Sequence, residues 1–170
     1  YGIISFTFSY YGEMITYLGM TMPMAVFALV SWLKNPYNGN KAEVKVNQIT
    51  WKEHACMWVM TVVVTAVFYV ILDYFHTANI LPSTISVTTS FLAVYLTFRR
   101  SSYFALAYAA NDLVLIVLWV LASMEEIRYF SVVVCFTAFF VNDLYVFLSW
   151  KKMEKRQSAV EQEHEKCMEF

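Results

Sequence analysis

The 170-residue sequence is 59% hydrophobic, 18% aromatic and 15% charged, with a mean hydropathy of +0.51, well above the roughly 45–50% apolar content of a soluble domain. A formal net charge of −1 and a pI near 6.3 exclude the basic field that nucleic-acid binding requires. Three cysteines without paired spacing speak against a disulfide framework or a zinc site.

A transmembrane helix needs ~20 mostly apolar residues, because the hydrocarbon layer is about 30 Å thick and a helix rises about 1.5 Å per residue. The chain opens at Tyr1 inside an apolar run, without a methionine or a cleavage signature. Residues 1–11 therefore read as the tail of a span whose beginning is missing, and 13–33 as the next span, carrying Glu13, Tyr17 and a potentially kinking Pro23. The loop 34–54 starts on the turn sequence Asn35-Pro36-Tyr37-Asn38-Gly39 and continues with alternating Val44 and Val46, the pattern of a short interfacial strand. Further spans are predicted over 55–76, 83–98, 103–124 and 129–150, followed by a mixed-charge tail, 151–170, read as a frayed helix or disordered.

The charges between the spans alternate in kind. Lys34, Lys41, Lys45 and Lys52 lie in one loop, Arg99 and Arg100 in another, and Lys151, Lys152, Lys155, Arg156 and Lys166 in the tail, so that of the 12 basic residues only Arg128 falls on the opposite side. The positive-inside rule then predicts that these loops and the C-terminus are cytoplasmic.

The last two spans share a pattern, Asn111-Asp112-Leu113 followed after five residues by Trp119, and Asn142-Asp143-Leu144 followed after five by Trp150. Weak internal repeats are common in transporters, whose solute sites lie between the repeats near the bilayer midplane. An ionisable group inside a span is costly and usually faces a bundle interior or an aqueous cavity. Asp112 shares a helical face with Tyr108 and Trp119, and Asp143 shares one with Phe139, Phe147 and Trp150. The competing reading is that both acids only hydrogen-bond neighbouring helices and hold the bundle together. In the span 55–76, Trp58, Thr61, Thr65 and Tyr69 form a stripe of rings and hydroxyls at helical spacing that could line a solute path. Walker loops, Gly-rich dinucleotide turns and nucleophile elbows do not occur in a chain with four glycines. These observations point to a passive or ion-coupled carrier rather than an enzyme, with no cofactor.

The Ser31-Trp32-Leu33-Lys34 helix end, the Glu43-Val44-Lys45-Val46 lead, and the Arg99-Arg100 loop before an Asn-bearing span that ends at Trp119 resemble the PnuC family of bacterial nicotinamide riboside transporters. The resemblance implies an all-α integral membrane protein of the inner membrane, a polytopic bundle in a SWEET-like 3+1+3 arrangement. Residues 1–33 would be the remainder of the first three-helix bundle, with the first helix missing, 55–76 the linker helix and 83–150 the second bundle. It also implies facilitated diffusion by alternating access, a homotrimer, and a cytoplasmic kinase that traps the solute.

By position, Asn111 and Asn142 match asparagines of the family's last two helices, and Phe104 an aromatic in the approach to the first of them. Ala107 stands where many relatives have tryptophan, the span 13–33 has no Asn or Gln, and Asp112 and Asp143 replace residues that are usually uncharged. The substrate-binding set expected on this basis is Asn111, Asn142, Asp112, Asp143, Phe104, Tyr108, Trp119, Trp58 and Thr65, around a cationic vitamin. Thiamine, also a planar cation, is the alternative solute, and a non-transporting membrane subunit the alternative role.

Overall fold

The computed structural model describes residues 14–38, 40–77 and 79–168; the tail of a span expected over 1–11 lies outside them. Five described helices are long and apolar enough to cross a membrane. They are α1 (Thr16–Lys34), α2 (Trp51–Tyr74), α3 (Ile80–Phe98), α4 (Phe104–Glu125) and α5 (Phe130–Met168), the last entered through a 3₁₀ turn at Ile127–Tyr129.

Pro23 does not break α1. A proline has no N–H and its ring crowds the carbonyl four residues back, and here the chain answers with a π-helical turn over Thr16–Thr21, immediately upstream. Within it the N–H of Met22 donates to the carbonyl of Tyr17, five residues back. Such single wide turns recur at functional sites.

After α1 the turn sequence folds back as a hairpin, β1 (Pro36–Tyr37) against β2 (Asn40–Val44), antiparallel, with Asn38 in the left-handed region at φ 47°. The start of α2 at Trp51, earlier than hydropathy alone predicts, follows from a capping box. Thr50 and Glu53 exchange side-chain and backbone hydrogen bonds, the Thr50 N–H donating to Glu53 Oε2 at 2.9 Å. Asn79, at φ 55°, sets the entry to α3.

The tail is neither frayed nor disordered through its described length, because α5 runs without interruption to Met168. Its 39 residues span about 58 Å at 1.5 Å per residue, nearly twice the hydrocarbon thickness. The protruding part is held by the hairpin. Gln157, buried at 5% exposure, accepts from the N–H of Val46 at 2.9 Å and donates to the carbonyl of Val44 at 3.0 Å and to Glu43 at 2.9 Å. Arg156 pairs with Glu43, and Lys45 with Glu161 at 2.6 Å. The Asn47 N–H donates to the Arg100 carbonyl at 3.1 Å and Ser102 to Glu154 at 2.8 Å. The two basic loops and the tail therefore meet at one end of the bundle.

In the interior α3 packs against α1, α2 and α4, and α4 against both α3 and α5. Small buried residues on these two helices, Ser83, Ser86, Ser90, Ala93, Ala105 and Ala109, allow the close backbone approach that replaces the hydrophobic effect in lipid. The outer helices instead expose large apolar side chains, among them Leu29 on α1, Val62 and Val70 on α2, and Val141 and Leu148 on α5, as a lipid-facing surface does.

Candidate functional site: an acidic aromatic cavity

Four helices line an open cavity of about 380 Å³, a size at the lower end of small-molecule sites. On α4 it is lined by Phe104, Tyr108, Asn111 and Asp112, spaced four, seven and eight residues from the first, so one helical face turns toward it. On α5 the lining is Phe136, Phe139, Asp143 and Val146, at spacings of three, seven and ten. Tyr17 and Thr21 enter from the π turn of α1, and Ser90 from α3.

The polar groups are unevenly provided for. Asn111, 3% exposed, accepts at Oδ1 from Thr89 Oγ1 at 2.8 Å and from Ser90 Oγ at 3.0 Å. Asp112 is 5% exposed, and its Oδ2 has no hydrogen-bond partner among the described residues. Asp143 is half-buried, and its contact with the Asn142 amide is long at 3.4 Å. A buried acceptor without a donor costs free energy, so a cavity with such a group favours an occupant that supplies one. No lysine, arginine or histidine lines the cavity among the described residues, leaving both carboxylates without a built-in countercharge.

Aromatic rings close the end nearest the basic loops. Phe104 meets Trp150 edge-on with centroids 4.8 Å apart and Trp32 at 6.0 Å, while Trp32 and Trp150 lie 5.2 Å apart. Trp32 is in turn tied to the end of α3, its Nε1–H donating to the Thr97 carbonyl at 2.8 Å, next to Ser31 donating to the Phe98 carbonyl at 3.0 Å. The other end is packed solid by Leu115, Leu118, Trp119, Tyr129 and Val133. Two larger clefts, of about 650 and 570 Å³, lie between the hairpin, the loops and the tail. Lys45, Gln48, Lys151, Glu154 and Glu161 line them, which is the polar end of the molecule rather than its membrane interior.

Five of the residues singled out from sequence, Phe104, Tyr108, Asn111, Asp112 and Asp143, come together here. The remaining four do not. Asn142 is exposed on the outer side of α5, because adjacent residues point about 100° apart and only Asp143 turns inward. Trp119 is fully buried in the packed end, with its ring 5.7 Å from that of Tyr129. Trp58, 56% exposed, points away from the bundle on α2, and Thr65 bonds Thr88 of α3 at 2.9 Å, a contact between helices. Tyr17, Thr21, Ser90, Phe136, Phe139 and Val146 complete the lining. Of these, Phe139 is read from sequence onto the Asp143 face, and Phe136 and Val146 carry the same signal in their helical spacing from Asp143. Among the described residues no three His, Cys, Asp or Glu side chains converge as metal ligands.

Comparison with known proteins gives three findings. A family model described as nicotinamide mononucleotide transporter matches residues 1–152. A nicotinamide riboside transporter PnuC of Neisseria mucosa is 28% identical over 166 residues, covering 94% of this chain and 62% of that protein, so the chain spans less than two thirds of its relative's length. The crystal structure of the vitamin B3 transporter PnuC is similar in fold, with a TM-score of 0.76 and 24% identity, over 92% of this chain and 68% of that one.

Proposed function

We propose that this chain, which belongs to the nicotinamide mononucleotide transporter family, forms the greater part of a carrier that moves nicotinamide riboside across the membrane by facilitated diffusion. The observation that supports this reading best is the cavity itself, in which rings, two carboxylates and an amide converge without a basic side chain among the described lining. Nicotinamide riboside is a flat pyridinium cation bearing an amide and a ribose. A cation over an aromatic face gains roughly 0.5–2 kcal/mol, and a carboxylate about 4 Å away adds ~1 kcal/mol in a water-like cavity and more in a drier one. A nucleotide adds a phosphate dianion, which these same carboxylates repel. The lining thus favours the riboside over the mononucleotide.

Release requires the ring closure of Trp32, Phe104 and Trp150 to part, and the π turn with Pro23 gives α1 a place to bend between that closure and the cavity. In this reading the basic end is cytoplasmic, the membrane is the bacterial inner membrane, and α2 links two three-helix bundles in a 3+1+3 arrangement. The carrier works as a homotrimer, and a cytoplasmic kinase that phosphorylates the delivered riboside keeps it inside.

Uptake of labelled nicotinamide riboside into proteoliposomes containing the full-length protein tests the proposal. Saturable uptake, competed by unlabelled riboside more strongly than by thiamine and little affected by the mononucleotide, is expected. Stronger competition by thiamine would make the protein a thiamine carrier. Flux equal to that of empty vesicles for every solute would leave a membrane subunit that does not transport.

A further inference from the structure

The Asn111 amide has an oxygen end and a nitrogen end, and α3 takes hold of only one of them. Oδ1 accepts from Ser90 at 3.0 Å and from Thr89 at 2.8 Å. These two hydroxyls differ in strength of commitment. Thr89 has a single proton and three acceptors within reach, the carbonyls of Ile85 at 3.0 Å and Ser86 at 3.1 Å besides Asn111. Ser90, 2% exposed and itself part of the cavity wall, has Asn111 Oδ1 as its one acceptor among the described residues.

With the oxygen held, the two N–H donors of Nδ2 are left for the cavity. The reverse orientation would turn the amide oxygen toward a space that already contains the Asp112 and Asp143 carboxylates, an acceptor set among acceptors. We propose that Ser90 is a positioning residue that sets the selectivity of the cavity. By anchoring the Asn111 oxygen it presents an N–H pair beside the unpartnered Asp112 carboxylate, and so selects solutes that carry an acceptor oxygen near a cationic ring. This rests on the carrier reading above and adds to it the residue that orients the donor and the group on the solute that receives it.

The test is equilibrium binding to the purified full-length protein of nicotinamide riboside, of its analogue without the carboxamide, N-ribosylpyridinium, and of its analogue without the sugar, N-methylnicotinamide. Ser90→Ala should weaken the riboside about tenfold, the scale of one unmade buried hydrogen bond, and weaken one analogue similarly while leaving the other at parental affinity. The unaffected analogue is the one that lacks the receiving oxygen. Ser90→Thr, which keeps the hydroxyl, should restore binding, and adding Ser90→Ala to Asn111→Leu should cost nothing further. A loss equal for all three solutes, no loss for any, or a full additional loss in the Asn111→Leu background would overturn the positioning role while the carrier reading stands. A parent protein that binds none of the three would overturn both.

Discussion

The segments Asn111-Asp112-Leu113 and Asn142-Asp143-Leu144 are the same three residue types, each followed at the same distance by a tryptophan, yet they lead different lives. α4 has protein on two sides, α3 and α5, so two successive residues pointing about 100° apart can both be enclosed. Asn111 and Asp112 are accordingly both buried. Among the described residues α5 packs chiefly on α4, so Asp143 turns into the cavity while Asn142 faces away from it. The tryptophans follow suit, Trp119 fully enclosed and Trp150 half-buried in the ring closure. A repeated pattern in two helices is therefore no guide to a repeated role. The number of neighbours each helix has decides.

The tryptophans offer the largest test of that asymmetry. Trp119→Ala should cost about 3–5 kcal/mol of stability, the usual loss for an enclosed ring, and Trp150→Ala clearly less, as measured by unfolding in detergent. Comparable losses would remove the distinction. At the asparagines, Asn111→Leu should weaken nicotinamide riboside binding by ~1–3 kcal/mol, since it removes the proposed donor to the solute and leaves the Ser90 and Thr89 hydroxyls without their shared acceptor. Asn142→Leu should change binding by no more than ~0.5 kcal/mol, as an outward-facing substitution does. Equal effects in titrations of the two variants would mean that the cavity extends to the far side of α5.

At the aspartates the two segments converge. Asp112→Asn and Asp143→Asn should each weaken binding of the pyridinium cation by ~1 kcal/mol in a wet cavity and leave the uncharged, reduced riboside bound as before. Affinity for the cation should also decline with falling pH, because only the ionised carboxylates attract it. Identical losses for the charged and the reduced solute would assign the acids to holding helices together. The smallest effect belongs to the extension that α5 has and α4 lacks. The hydrogen bond from Gln157, and then the one from Arg156, hold the Glu43 carboxyl below its usual range against the opposing effect of burial. A depressed carboxyl stabilises the fold above the ordinary glutamate value of about 4.3, and that contribution is lost as pH falls through the lower folded-state value. The stability difference between the parent and Glu43→Gln should therefore shrink on acidification; a difference that grows instead would mean the clamp does not depend on the charge.

Much of the architecture is determined by the amino-acid sequence alone. Continuous apolar length names the described spans, the Thr50-x-x-Glu53 box explains where α2 starts, and the one-sided distribution of Lys and Arg already places the hairpin, the 99–100 loop and the tail together. Asp112 and Asp143 stand out because an acid within a span needs a protein or aqueous environment. Only the tertiary structure decided that Ser90, Tyr17 and Thr21 share their cavity, that the tail is one helix braced by Gln157, and that Trp58 and Tyr69 look outward while Thr61 is buried and Thr65 bonds α3. The physical reason lies in the solvent. In water an apolar stripe identifies the buried face of a helix, but lipid tails are as apolar as a leucine core, so hydrophobicity marks which segments enter the membrane and leaves their rotation to the packing of small residues and polar contacts between helices.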